Sequence, residues 1–149
     1  MTRFVVDCGV VLRLAGDEIE VAAEHALLAP TLVRSQTLSA VHQAVQAGEI
    51  SRDVALDRLA RVSDLPIRLL GDAVLRRRAF DLAGELGWAE TYDAEYIALT
   101  QLQADAFVTL DAKLARRVAG IVPTATIDAL TTVCRRRPDA SGSDDSRRS

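Results

Sequence analysis

Apolar residues in this chain fall into short unbroken runs separated by longer stretches with helical spacing. Phe4 to Asp7, Leu27 to Ala29, Ile67 to Leu70, Phe107 to Leu110 and Ile121 to Ala125 read as strands. Runs this short and continuous suit strands buried on both faces, which carry apolar side chains on each side of the sheet. The intervening segments carry helix signals. Gly9 to Leu14 reads as a first helical turn. Pro30 ends the second strand, and Thr31 caps a helix that reaches Ala47 and stops at Gly48. Ser51 opens a helix with Val54-Ala55, Leu59 and Val62 at helical spacing, and Asp72 opens another that runs to Leu86 and stops at Gly87. Asp93 to Gln103 and Ala112 to Val118 complete the helices. Short strands alternating with helices predict an α/β domain with parallel pairing, right-handed crossovers and helices on both faces.

Composition changes this picture little. At 149 residues and 49% hydrophobic, the chain fits one domain with a sizeable core. No stretch of about 18 apolar residues is present, nor a basic start leading into an apolar signal core, so no membrane association and a cytoplasmic location are expected. Cys8 and Cys134 match no metal-ligand spacing and read as reduced thiols. The formal charge is −3, yet residues 135–149 carry five Arg and three Asp and no apolar side chain larger than Ala or Pro. The expected organisation is therefore a domain over 1–134 and a disordered Arg/Asp/Ser tail over 135–149.

Charge placement supplies the candidate chemistry. Asp7 follows the first strand and Asp111 follows Phe107 to Leu110, where open α/β sheets bind ligands. Between them, Tyr92-Asp93-Ala94-Glu95-Tyr96-Ile97-Ala98-Leu99 brings an acidic residue into the start of a helix. Carboxylates gathered at strand ends repel one another and call for a cation. Oxygen donors with no nearby Cys or His favour Mg²⁺ or Mn²⁺ over Zn²⁺, and Mg²⁺ binds one or two carboxylates together with substrate phosphates. Phosphate-ester chemistry follows as the first expectation. The plainer alternative is that Asp7 and Asp111 only end strands and cap helices.

Three segments, Phe4-Val5-Val6-Asp7, Tyr92 to Leu99 and Val108-Thr109-Leu110-Asp111-Ala112-Lys113-Leu114-Ala115, resemble in order and spacing the acidic motifs of PIN-domain nucleases, specifically the VapC-type toxins of bacterial toxin–antitoxin pairs. The resemblance covers roughly residues 1–130. It implies a three-layer PIN-like domain whose central parallel sheet has the order 3-2-1-4-5 and is flanked by helices. It also implies a metal-dependent endoribonuclease, a homodimer, and a cognate antitoxin protein that neutralises it. Carried over, Asp7, Asp93 and Asp111 become both the catalytic and the metal-binding residues, with Mg²⁺ or Mn²⁺ as cofactor and RNA as substrate. Products would carry a 5′-phosphate and a 3′-hydroxyl.

The sequence departs from that pattern at two places. Gln36 stands where the family usually places a Glu, which removes an anion and any general base at that position. Cys8-Gly9 follows the first Asp where a Thr or Ser is common. These departures motivate a second reading, a catalytically weak or inactive PIN-like scaffold that binds RNA or a protein. A signalling receiver also uses strand-end aspartates, but it wants adjacent acids after the first strand and a late lysine, which this chain lacks. Glu95, two residues from Asp93, should face away around the helix, which leaves Glu90 as the better spare carboxylate. Thr109, read as lying on the strand with Asp111, could hold a water or phosphate. Lys113, Arg116 and Arg117 are preferred over Arg76-Arg77-Arg78 as backbone contacts, with Arg34 a further candidate. Trp88, Tyr92 and Tyr96 could stack on a base or simply fill space, and His25 and His42 lack ligand-spaced partners.

Overall fold

In the computed structural model, residues 1–131 are described; the expected tail over 135–149 and Cys134 lie outside them. Five strands alternate with helices: β1 (Thr2–Val6), α1 (Cys8–Gly16), β2 (His25–Pro30), α2 (Leu32–Gln46), α3 (Arg52–Asp64), β3 (Ile67–Leu70), α4 (Ala73–Leu86), α5 (Tyr92–Gln103), β4 (Ala106–Val108), α6 (Ala112–Val118), β5 (Thr124–Ala125) and α7 (Asp128–Thr131). The strands form one parallel sheet in the order β3-β2-β1-β4-β5. This is the PIN-like arrangement that the family resemblance implied.

Burial explains why the central strands read as they do. Val5, Val6, Phe107 and Val108 are each 0% exposed, covered by helices from both sides, so at these positions neither face of the sheet tolerates a polar residue. Each such side chain contributes on the order of 1.5 to 3 kcal/mol of burial. Helices α1, α2 and α3 pack on one another, while α4 packs on α5, which lies against β1, β2 and β4. Half of α5 is consequently buried: Ala94, Tyr96, Ile97, Ala98, Leu99 and Thr100.

Helix starts follow side-chain chemistry. Asp7, Ser51, Asp72 and Asp111 each accept a backbone N–H from the first turn of the helix they precede, which satisfies donors that have no intrahelical partner. Gly87 ends α4 at φ +69°, a left-handed conformation that glycine adopts without strain.

Several boundaries differ from expectation. Thr31 precedes α2 but makes no side-chain cap; its backbone is already helical, and its hydroxyl is packed so tightly on Gly71 that a Cβ there would lie 2.7 Å from Thr31 Oγ1. Pro30 stays within β2 rather than ending it, in register with Leu70. The Thr31 N–H bonds to the Leu70 carbonyl, so the Pro30 nitrogen points toward β1, past its last pair between Val5 and Leu28, and no ladder bond is lost. β4 ends at Val108, so Thr109 and Leu110 belong to the connection into α6. β5 is reduced to Thr124–Ala125, because Pro123 carries no N–H to extend the ladder, although its carbonyl still accepts from Phe107. Among the described residues, no helix is long and apolar enough to cross a membrane.

Candidate active site

The site lies at the carboxyl edge of β1 and β4. Leaving β1, the chain turns at Asp7 in extended conformation and enters α1, with Asp7 Oδ1 accepting the Val10 N–H at 3.0 Å. Asp7 Oδ2 accepts from the Thr109 hydroxyl. The same Thr109 oxygen accepts the Asp111 N–H at 3.1 Å, and Asp111 Oδ1 in turn accepts the N–H groups of Lys113 and Leu114. Thr109 therefore joins the two strand-end aspartates, although not as the strand residue expected from the sequence.

Asp93 arrives from the first turn of α5. It is half-buried, and Oδ2 lies 3.5 Å from Arg117 Nη1. The Arg117 guanidinium sits over the Trp88 ring, 4.0 Å from its centroid, a cation–π contact that fixes where its charge is held.

The three aspartates share an electrostatic neighbourhood. Burial raises the pKa of Asp7; hydrogen bonds from Thr109 and Val10 oppose the shift, and the charges of Asp111 and Asp93 add to it. Burial likewise raises Asp93, against the pull of Arg117, with Asp111 and Glu90 pushing it further up. Cys8, beside Asp7, is driven up to about 11 by burial and by the Asp7 charge, so it is a neutral thiol near neutral pH.

These donors suit a hard divalent cation. They are carboxylate oxygens whose ionised forms destabilise one another, and a divalent charge would relieve that. Among the described residues, no group of three or more His, Cys, Asp or Glu side chains is gathered closely enough to enclose a metal ion. The arrangement instead suits an ion that touches one or two carboxylates and completes its shell with water and substrate oxygens, as Mg²⁺ does.

Beside Asp93 runs a groove lined by Gln36, Trp88, Ala89, Glu90, Tyr92, Asp93 and Arg117. Gln36 thus lies where its position in the sequence suggested, although 57 residues separate it from Asp93. Its Oε1 accepts from the Tyr96 hydroxyl. The phenol is 2% exposed, and burial followed by the charges of Asp7, Cys8, Glu95 and Asp93 raises its pKa well above the ordinary tyrosine value. The sequence reading did not find this pairing. Its signal was available, because Tyr96 stands three residues after Asp93 and so shares its helix face.

The remaining candidates divide. Glu90 lines the groove, a position the sequence did not fix, and Glu95 faces away as expected, into a crevice with Arg76, Arg77 and Phe80. Arg77 and Arg78 are engaged with Asp81 and with Gln101 and Glu85. Arg34 lines the crevice between α2 and α3 rather than the groove, because two residues along a helix turn it to the opposite side from Gln36. Tyr92 lies on the groove rim, Trp88 beneath Arg117, and Tyr96 in the interior.

No protein-family model matches the chain, and no curated protein matches it in sequence. Among solved structures, PAE2754 from Pyrobaculum aerophilum aligns with a TM-score of 0.69 at 21% identity, over 87% of this chain and 93% of that one. VapBC2 from Rickettsia felis, solved bound to a DNA fragment from their promoter, aligns with a TM-score of 0.61 at 10% identity, over 84% of this chain and 98% of that one. VapBC-1 from nontypeable Haemophilus influenzae gives 0.58 at 9% identity, over 85% and 99%. At these identities the shared property is the fold.

Proposed function

We propose that this chain is a metal-dependent endoribonuclease of the VapC type, a toxin held in check by a cognate antitoxin and acting as a homodimer. The observation that carries the reading is that Asp7, Asp93 and Asp111 stand near enough to one another beside a 3-2-1-4-5 parallel sheet for the charges of Asp93 and Asp111 to act on Asp7 and that of Asp111 to act on Asp93. The fold shared with the two VapBC structures supports it.

Asp7, Asp93 and Asp111 would hold Mg²⁺ or Mn²⁺, one or two of them directly and the rest through water, and the ion when bound supplies charge neutralisation at a phosphodiester and a more acidic water as nucleophile. The chain's own part is orientation. Thr109 and the Val10 N–H fix both oxygens of Asp7, and the α6 N–H groups fix one oxygen of Asp111. Carboxylates held this way present a defined donor face and need little rearrangement on binding substrate. Arg117 balances Asp93 and would be available to a substrate phosphate if a cation took over that carboxylate.

A specific observation favours the second reading, a weakly active scaffold: position 36 supplies an amide already bonded to Tyr96 rather than a fourth carboxylate. The deciding experiment is cleavage of a fluorescent RNA with Mn²⁺, Mg²⁺ or EDTA, by the intact protein and by Asp7→Asn. Cleavage that needs the divalent ion and is lost in Asp7→Asn establishes the nuclease. Metal-independent cleavage, or none at stoichiometric protein, rejects it. Light scattering at micromolar concentration tests the dimer.

A further inference from the structure

We propose that Gln36 is a substrate-facing hydrogen-bond donor: with its carbonyl oxygen held by the Tyr96 hydroxyl, its amide N–H groups serve a phosphate oxygen of a single-stranded RNA in the groove between α2 and α5. This rests on the nuclease reading above and assigns the residue a role other than metal ligand.

The orientation of the amide follows from its partner. Tyr96 is almost wholly buried, and its hydroxyl has no hydrogen-bond partner among the described residues other than Gln36. A phenol must donate its proton, and the only acceptor Gln36 owns is Oε1. Turning the amide over would leave that proton unmet, a costly arrangement for a buried group. Nε2 is then free of partners among the described residues, on a half-buried side chain that lines the groove. An amide nitrogen cannot coordinate a divalent cation, but it can donate to an anionic oxygen.

The rest of the groove fits a nucleotide. Arg117 lies along the same wall, its guanidinium seated on Trp88. Tyr92 is 53% exposed at the rim, where a base can stack on its ring. Asp93 and Glu90 already make the groove acidic. A glutamate at 36 would add a repelling charge, whereas glutamine supplies a donor without one. Position 36 thus favours polynucleotide binding where a carboxylate would favour metal binding.

The test uses the full-length protein, with a fluorescein-labelled single-stranded RNA followed by anisotropy in EDTA at low salt, and Mn²⁺ binding to the RNA-free protein measured by calorimetry. Gln36→Leu is expected to weaken RNA binding about tenfold, the loss typical of a hydrogen bond to a charged group, with Mn²⁺ affinity unchanged. Gln36→Glu is expected to weaken RNA binding at least as much while tightening Mn²⁺. The double variant Gln36→Leu/Tyr96→Phe leaves no orphaned hydroxyl and should reproduce the RNA loss in a stable fold. Equal RNA binding by wild type and both Leu variants overturns the assignment of Gln36 alone, as does a loss of Mn²⁺ affinity in Gln36→Leu. If wild-type protein binds RNA neither in EDTA nor with Ca²⁺ in its place, the nucleic-acid reading itself falls.

Discussion

The Thr109 hydroxyl donates to Asp7 Oδ2 across 102 residues of sequence, and the same oxygen accepts the Asp111 N–H. One side chain thereby sets the spacing of the two strand-end aspartates. Thr109→Val, of nearly equal volume, removes the bond that lowers the pKa of Asp7. The acidic limb of the cleavage pH profile should move to higher pH, and activity at neutral pH should fall several-fold. Thr109→Ser should restore both. A profile identical to wild type would show that Thr109 only fills space.

The raised pKa values of Asp7 and Asp93 fix the sign of the pH dependence of stability without metal. A carboxyl whose folded pKa lies above its unfolded value of about 3.9 contributes stability at pH below that value and loses it as pH rises through the folded pKa. At neutral pH, Asp7→Asn, which keeps an N-cap side chain, should therefore melt at or above the wild-type temperature. The advantage should vanish toward pH 4 and shrink when Mn²⁺ is added. Melts over pH 4 to 8 with and without metal check this, and a destabilised Asn variant at neutral pH would count against it.

Arg117 is the resting counterion of Asp93. Arg117→Met keeps an apolar stem for Trp88 to pack on but removes the charge. Its removal should raise the pKa of Asp93 further, tighten Mn²⁺ binding about threefold or more by deleting a competitor, and weaken RNA binding with a shallower salt dependence. Calorimetry and salt-titrated anisotropy separate the two effects. Parallel loss of both affinities would instead mean that Arg117 holds the groove together.

Gly71 bears directly on Thr31. Gly71→Ala should destabilise the protein by about 1 to 3 kcal/mol through overpacking at the start of α2, and Thr31→Ala in the same chain should recover most of the loss. Denaturant unfolding of the single and double variants provides the measurement; additive losses would rule out direct contact.

Much of this architecture was legible because apolar runs and cap residues act locally. Buried parallel strands leave unbroken runs such as Phe4-Val5-Val6, and Asp7, Ser51, Asp72 and Asp111 announce helix starts through bonds spanning two or three residues. The strand order was legible only through resemblance, since periodicity gives no neighbour relations. Other features depend on partners distant in sequence: the Thr31 hydroxyl is set by Gly71, Gln36 by Tyr96, and Thr109 by Asp7. The last of these explains why Thr109 belongs to a turn although its sequence reads as strand.

Two of the three aspartates also serve as helix caps. The folding role asks only for a short side chain with an oxygen, which asparagine supplies about as well as aspartate, while the proposed chemistry asks for a full negative charge. The two demands separate at a single nucleotide, because every Asp codon becomes an Asn codon by changing its first base. A single base change can therefore remove the charge that the proposed chemistry needs and still leave a folded protein.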